Sequence, residues 1–192
     1  MVDKAYARII RALEASGQAD NTIIVYTSDH GDMCGDHCLM QKGNFYEGSV
    51  RVPLAIHVPW LSRSRVDFTT PISSVDLVPT LLMGVDIKGA VDGISRAGAL
   101  RNPASWRAEN VTSEWNDGED KAISGRSRIA ADGWKLNLYH GDTPELFDLN
   151  SDPGELQNRA AEPAQRDRIR RLTEELHAWQ QRTRDTLTLV NG

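Results

Sequence analysis

Apolar positions change their spacing along the chain, and each change marks a different kind of element. Residues 3–16 place Tyr6, Ile9, Ile10 and Leu13 three or four apart, with Lys4, Arg8, Arg11 and Glu14 between them. That is the pattern of an amphipathic helix, which Ser16-Gly17 closes. The run Thr22-Ile23-Ile24-Val25-Tyr26-Thr27 is almost continuously apolar and β-branched, which predicts a strand covered on both faces in a parallel sheet. A helix, a short polar turn and such a strand form part of a βαβ crossover whose first strand lies ahead of Met1. Val52–Val58 reads as a second buried strand. Around Thr70–Ser74 a helix begins, with Ser73 or Ser74 as its cap, Asp76 complementing its dipole, and Leu77, Leu81 and Leu82 facing the core. Residues 84–109 read as connecting loop with a short helical piece.

Beyond residue 110 the period shortens to two. Val111–Trp115, Ser127–Ala131, Trp134–Tyr139 and Glu145–Leu149 are separated by Asp-Gly and Gly-Asp turns, a small antiparallel meander. Asp132-Gly133 is a hairpin signal. Trp134, Leu136 and Leu138 alternate with Lys135, Asn137 and Tyr139, as in a sheet buried on one face. Residues 163–186 return to helical spacing with Ile169, Leu172, Leu176 and Trp179 on one stripe, which is expected to pack across that sheet. The fold class is therefore α/β: a partial parallel-sheet core over residues 1–109, then an antiparallel sheet with a carboxyl-terminal helix over residues 110–192.

Composition narrows the partners more than the fold. With 192 residues, 40% hydrophobic and 26% charged, the chain is long enough for one sizeable core. A net charge of −5 gives no basic footprint for nucleic acid, and no run approaches the roughly eighteen apolar residues of a membrane span. Neither nucleic acid nor membrane is an expected partner. Cys34 and Cys38, four apart in a glycine-containing loop, read as reduced structural thiols or as one short disulfide.

The chemistry concentrates just after the Thr22 strand. Side chains beyond the carboxyl end of a strand in an open α/β sheet face the ligand crevice, and Ser28-Asp29-His30-Gly31-Asp32 stands there. Asp29 and His30 offer a carboxylate and an imidazole to one divalent cation, and Gly31 allows the sharp turn that brings both to it. Oxygen donors favour calcium or magnesium; the imidazole tilts toward manganese or zinc. A turn adopted for conformational reasons alone would also contain Asp, His and Gly. A rival reading gathers His30, Cys34, His37 and Cys38 around a tetrahedral zinc. Glu47 and Arg51, four apart, are expected to pair with each other.

Ser28-Asp29-His30-Gly31-Asp32, Gly35-Asp36-His37, Lys42-Gly43-x-x-Tyr46-Glu47-x-x-Val50-Arg51-Val52-Pro53, Val75-Asp76-Leu77-Val78-Pro79-Thr80 and Glu145-Leu146-Phe147-Asp148-Leu149-x-x-Asp152-Pro153-Gly154-Glu155 together resemble the carboxyl half of the sulfatase family, within the alkaline-phosphatase superfamily. The resemblance implies a metal site completed by Asp29 and His30, with calcium the usual ion and manganese or zinc the alternatives. It implies that Lys42 binds the ester oxyanion. His37, in the same loop, either donates to the leaving group or substrate as a catalytic residue or steadies its loop. It implies metal-dependent hydrolysis of a sulfate ester of a small molecule or sugar or, as the alternative, of a phosphonate monoester or a phosphodiester. The family's nucleophile motif, Cys/Ser-x-Pro/Ala-x-Arg, does not occur in these 192 residues, so the missing amino-terminal half is an expected partner and the chain alone is expected to be inactive. A non-catalytic fragment or a zinc-binding module are the alternatives.

Overall fold

The computed structural model describes residues 1–61, 64–82, 91–118 and 123–189. The connecting-loop reading of residues 84–109 lies partly outside the described residues. Helix α1 spans Val2–Ala15, and strand β1 spans Ile24–Thr27. The four-residue helix α2, Glu47–Val50, precedes strand β2, Leu54–His57. A 3-10 turn at Ser74–Asp76 leads into α3, Leu77–Leu81, and α4 covers Ala97–Arg101. The four strands β3 (Val111–Trp115), β4 (Gly125–Ile129), β5 (Trp134–Tyr139) and β6 (Glu145–Asp148) follow, and α5 runs from Arg166 to Thr183.

The meander is as its alternation predicts: an antiparallel sheet in the order β3-β4-β5-β6. Asp132-Gly133 turns the β4–β5 hairpin. Gly133 sits at φ 84, in the left-handed region that costs glycine nothing, and a Cβ there would strike the Asn150 side chain. Helix α5 lays Ile169, Leu172 and Leu176 onto Leu136, Leu138 and Leu146, with Trp179 at the edge of this core.

Three expectations are corrected by burial and pairing. β1 pairs antiparallel with β2, Ile24 opposite His57 and Thr27 opposite Leu54, rather than parallel. Both strands are half-buried or exposed along their length, because α1 supplies the cover on one side and itself buries no residue. α1 meets β1 through an edge-on contact of the Tyr6 and Tyr26 rings, centroids 5.2 Å apart. The β3–β6 sheet, in turn, is buried on both faces: Lys135 and Asn137 are as fully enclosed as Leu136 and Leu138. Its polar face is covered by the segment that leads into α2.

Asp76 stands at the start of α3, as expected, and has a further role. It is buried and paired with Arg96 at 2.8 Å, and its other oxygen accepts the Ile94 amide, so it also fastens the segment before α4. No helix among the described residues is long and apolar enough to cross a membrane.

Candidate active site

The segment after β1 is shaped by one close approach. The Gly31 amide donates to Ser49 O at 2.8 Å, and the Gly31 Cα lies so near Gly48 that any Cβ would be driven into that residue's carbonyl oxygen. This contact seats residues 28–32 against α2. Beyond it the chain makes a tied loop. Met33, buried, donates its amide to Gln41 O at 2.7 Å, and Gly35 donates to Leu39 O at 2.9 Å.

On this seat Asp29 and His30 are brought together. Asp29 Oδ2 lies 3.5 Å from His30 Nε2, and both side chains are open to solvent. His30 Nδ1 is 2.7 Å from Gly31 O, and a carbonyl only accepts, so Nδ1 carries the proton. In the neutral ring Nε2 is then left with its lone pair beside the Asp29 carboxylate. Metal-binding histidines are oriented in this way, by a backbone carbonyl on the other ring nitrogen. The His30 amide, the residue's own amide and the His30 ring hold the Asp29 carboxyl below the usual range. Asp29 offers a carboxylate and His30, in the neutral ring, an imidazole nitrogen, a donor set that fits a divalent cation taking its remaining ligands from elsewhere.

Lys42 is exposed, just past Gln41, whose carbonyl closes the tied loop. It is followed by Gly43, which lies flat on the Trp115 indole: a Cβ there would come within 3.2 Å of a ring carbon. No measured contact joins Lys42 or His37 to the Asp29–His30 pair. The His37 ring instead stacks on Tyr46, centroids 3.9 Å apart and planes within 9°, and its Nε2 donates to Gly154 O at 3.0 Å.

The cysteines are free and exposed. The four residues of the zinc reading are not gathered, and among the described residues no three His, Cys, Asp or Glu side chains form a metal-sized group. A hydrogen bond to Asp32, and that carboxylate's charge, push the Cys34 thiol above its ordinary pKa, the reverse of an activated nucleophile.

Residues 1–87 match the family described as Sulfatase. The relatives that this chain matches are sulfatases. It is 32% identical over 165 residues to an N-acetylglucosamine-6-O-sulfatase of Bacteroides thetaiotaomicron, an alignment that takes 82% of this chain and 30% of that protein. A solved 2-O GAG sulfatase superposes on the whole of this chain with a TM-score of 0.87 at 27% identity, 43% of its own length being covered. The phosphonate monoester hydrolase of Silicibacter pomeroyi superposes on 94% of this chain with a TM-score of 0.80 at 31% identity, over 39% of its length. The chain thus spans about a third of the curated sulfatase it matches, in the carboxyl-terminal part of the family's length.

The chain also carries a polar cluster that sequence reasoning missed. Lys135 Nζ, wholly buried on β5, lies 3.0 Å from Glu47 Oε1 and 2.8 Å from Glu155 Oε1, so Glu47 does not pair with Arg51. The reason is local: α2 ends at Val50, and Arg51 leaves it in extended backbone, exposed. Glu155 Oε2 also accepts the Glu47 amide at 2.6 Å. Burial pushes the Glu155 carboxyl up even with Lys135 beside it. Beside this cluster Glu145 accepts from Tyr46 Oη at 3.0 Å, Tyr139 Oη at 2.8 Å and Asn137 Nδ2 at 3.0 Å. Burial and the Glu145 charge push the Tyr46 hydroxyl up to about 12. The available signal was Glu47 and Glu155 each standing in a matched motif; nothing in the alternation of β5 marked Lys135 as their partner.

Proposed function

We propose that this chain is the metal-completing and oxyanion-binding portion of a sulfuric ester hydrolase. The observation that carries the reading is the Asp29–His30 pair, a carboxylate oxygen and an imidazole nitrogen 3.5 Å apart on an exposed turn. Asp29 and His30 would hold a divalent cation, calcium by family habit or manganese or zinc by the histidine donor, and such an ion supplies Lewis-acid stabilisation of charge on the ester oxygens. Lys42 would place a compact ammonium against the same tetrahedral group, where charge builds as the ester bond breaks. The nucleophile that attacks sulfur would come from a Cys/Ser-x-Pro/Ala-x-Arg segment outside these residues. The substrate class is a sulfate ester of a sugar or other small molecule, supported by the N-acetylglucosamine-6-O-sulfatase relative.

Titration calorimetry of the chain with calcium, manganese and zinc tests the metal reading. One weak binding event is expected, with water in the remaining coordination positions, and Asp29→Ala or His30→Ala is expected to weaken it at least about tenfold. Equal affinity in those variants and the native chain would remove the site.

A second reading, phosphonate monoester hydrolysis, is favoured by the likeness to the Silicibacter pomeroyi enzyme. The two separate in an assay of this chain combined with a segment that carries the nucleophile motif. An aryl sulfate turned over faster than a phenylphosphonate monoester supports the sulfatase reading, and the opposite order supports the second.

A further inference from the structure

Lys42 stands on a loop whose two arms are tied to β5, to β6 and to the turn that follows β6. Before Lys42, His37 donates to Gly154 O at 3.0 Å. After it, the Glu47 amide donates to Glu155 Oε2 at 2.6 Å, one residue along the same turn. Tyr46 closes the bracket, stacked on His37 and donating to Glu145 of β6. Under the bracket lies Lys135, its ammonium between Glu47 and Glu155 and without exposed surface.

A buried ion triad is a poor source of net stability, because desolvation offsets most of the attraction, yet its fixed partners set one geometry. An apolar trio of similar volume would have filled the space at no such cost. Glu155 also holds a left-handed backbone, φ 55, which a non-glycine residue adopts only where its surroundings insist. These features have in common that they fix where the loop lies.

We propose that Lys135 and Glu155 are positioning residues for Lys42: the buried triad registers the loop of residues 37–47 on the carboxyl-terminal sheet so that the Lys42 ammonium is presented to a sulfate group. On this assignment His37 belongs to the bracket, since its Nε2 is spent on Gly154 O and one ring face on Tyr46. The inference rests on the reading of Lys42 as the oxyanion ligand.

The test uses the full chain, labelled for amide NMR, and inorganic sulfate as the probe. Lys135→Met/Glu155→Met leaves no buried unpaired charge, since Glu47 can turn to solvent. Amide exchange at Phe45, Tyr46 and Glu47 is expected to rise at least about tenfold, with β4, β5 and α5 unchanged. Sulfate affinity, read at the Gly43 amide, is expected to fall to that of Lys42→Ala. Glu47→Ala, which keeps Lys135 and Glu155 paired, is expected to move both readouts the same way, and it carries the test if the double variant unfolds. A purely structural triad would lower the unfolding midpoint while the folded variant kept native sulfate affinity, and that result overturns the proposal. A native chain that binds no sulfate, with Lys42→Ala indistinguishable from it, sinks the oxyanion reading and the positioning role together; unchanged loop exchange with sulfate binding intact sinks the positioning role alone.

Discussion

At Gly31 a single hydrogen atom in place of a methyl decides whether the Asp29–His30 turn can form. Its Cα faces the Gly48 carbonyl with no room for a side chain, and its amide is already committed to Ser49 O. Gly31→Ala is therefore expected to cost roughly 1–3 kcal/mol, the usual penalty of overpacking against backbone that cannot yield. Metal affinity should fall with it, because the turn must shift to admit the methyl. Urea unfolding together with the calorimetric titration checks this, and a native midpoint would show that α2 moves aside freely. Lys42 contrasts with Gly31: its neighbours are closely determined, while its own ammonium is exposed.

Helix α5 and strand β4 are joined by a clasp that can be read by pH. Arg126 of β4, nearly fully buried, forks onto both oxygens of Asp185 at 2.7 Å, just past the end of α5 where Arg184 turns left-handed at φ 60. Burial alone would raise the Asp185 carboxyl, but the bonds from Arg126, Gln180 and the Leu187 amide outweigh it and leave it below the usual value. A carboxylate lowered on folding stabilises the native state fully above its unfolded pKa, about 3.9, and that contribution is lost as pH falls through the folded value. Asp185→Asn should therefore lower the urea midpoint at neutral pH and narrow its gap to the native chain as pH drops from about 4 toward 2. A gap that stays constant with pH would mean the clasp does not titrate.

Across the whole molecule stability is expected to be uneven. Leu136, Leu138, Leu146, Leu172 and Leu176 are fully enclosed between α5 and the sheet, whereas α1, β1 and β2 contain no buried residue. Native-state hydrogen exchange should find β4 and β5 amides protected to the level of global unfolding and α1 amides exchanging far faster. Equal protection would mean that α1 and β1 share the cooperative core. The same division separates what was legible in the sequence from what was not. The α5 stripe, the meander and the Asp132-Gly133 hairpin were readable because period and turn chemistry are set by neighbours within a few residues. That Asp29 and His30 share one turn was readable for the same reason, the two residues being neighbours in the chain. Where β1 finds its partner, and in which direction, was not written in its own apolar run. Nor was the burial of Lys135, whose alternation on β5 marked it as a solvent position and whose partner Glu47 lies 88 residues away. His37 likewise meets Gly154 across 117 residues. Local sequence by itself determined the elements and the turn that bears the metal-capable pair, because short-range sterics and hydrogen bonds suffice for those; only the tertiary structure decided which charges are enclosed and paired, because desolvation and Coulomb energies depend on what the folded chain brings together.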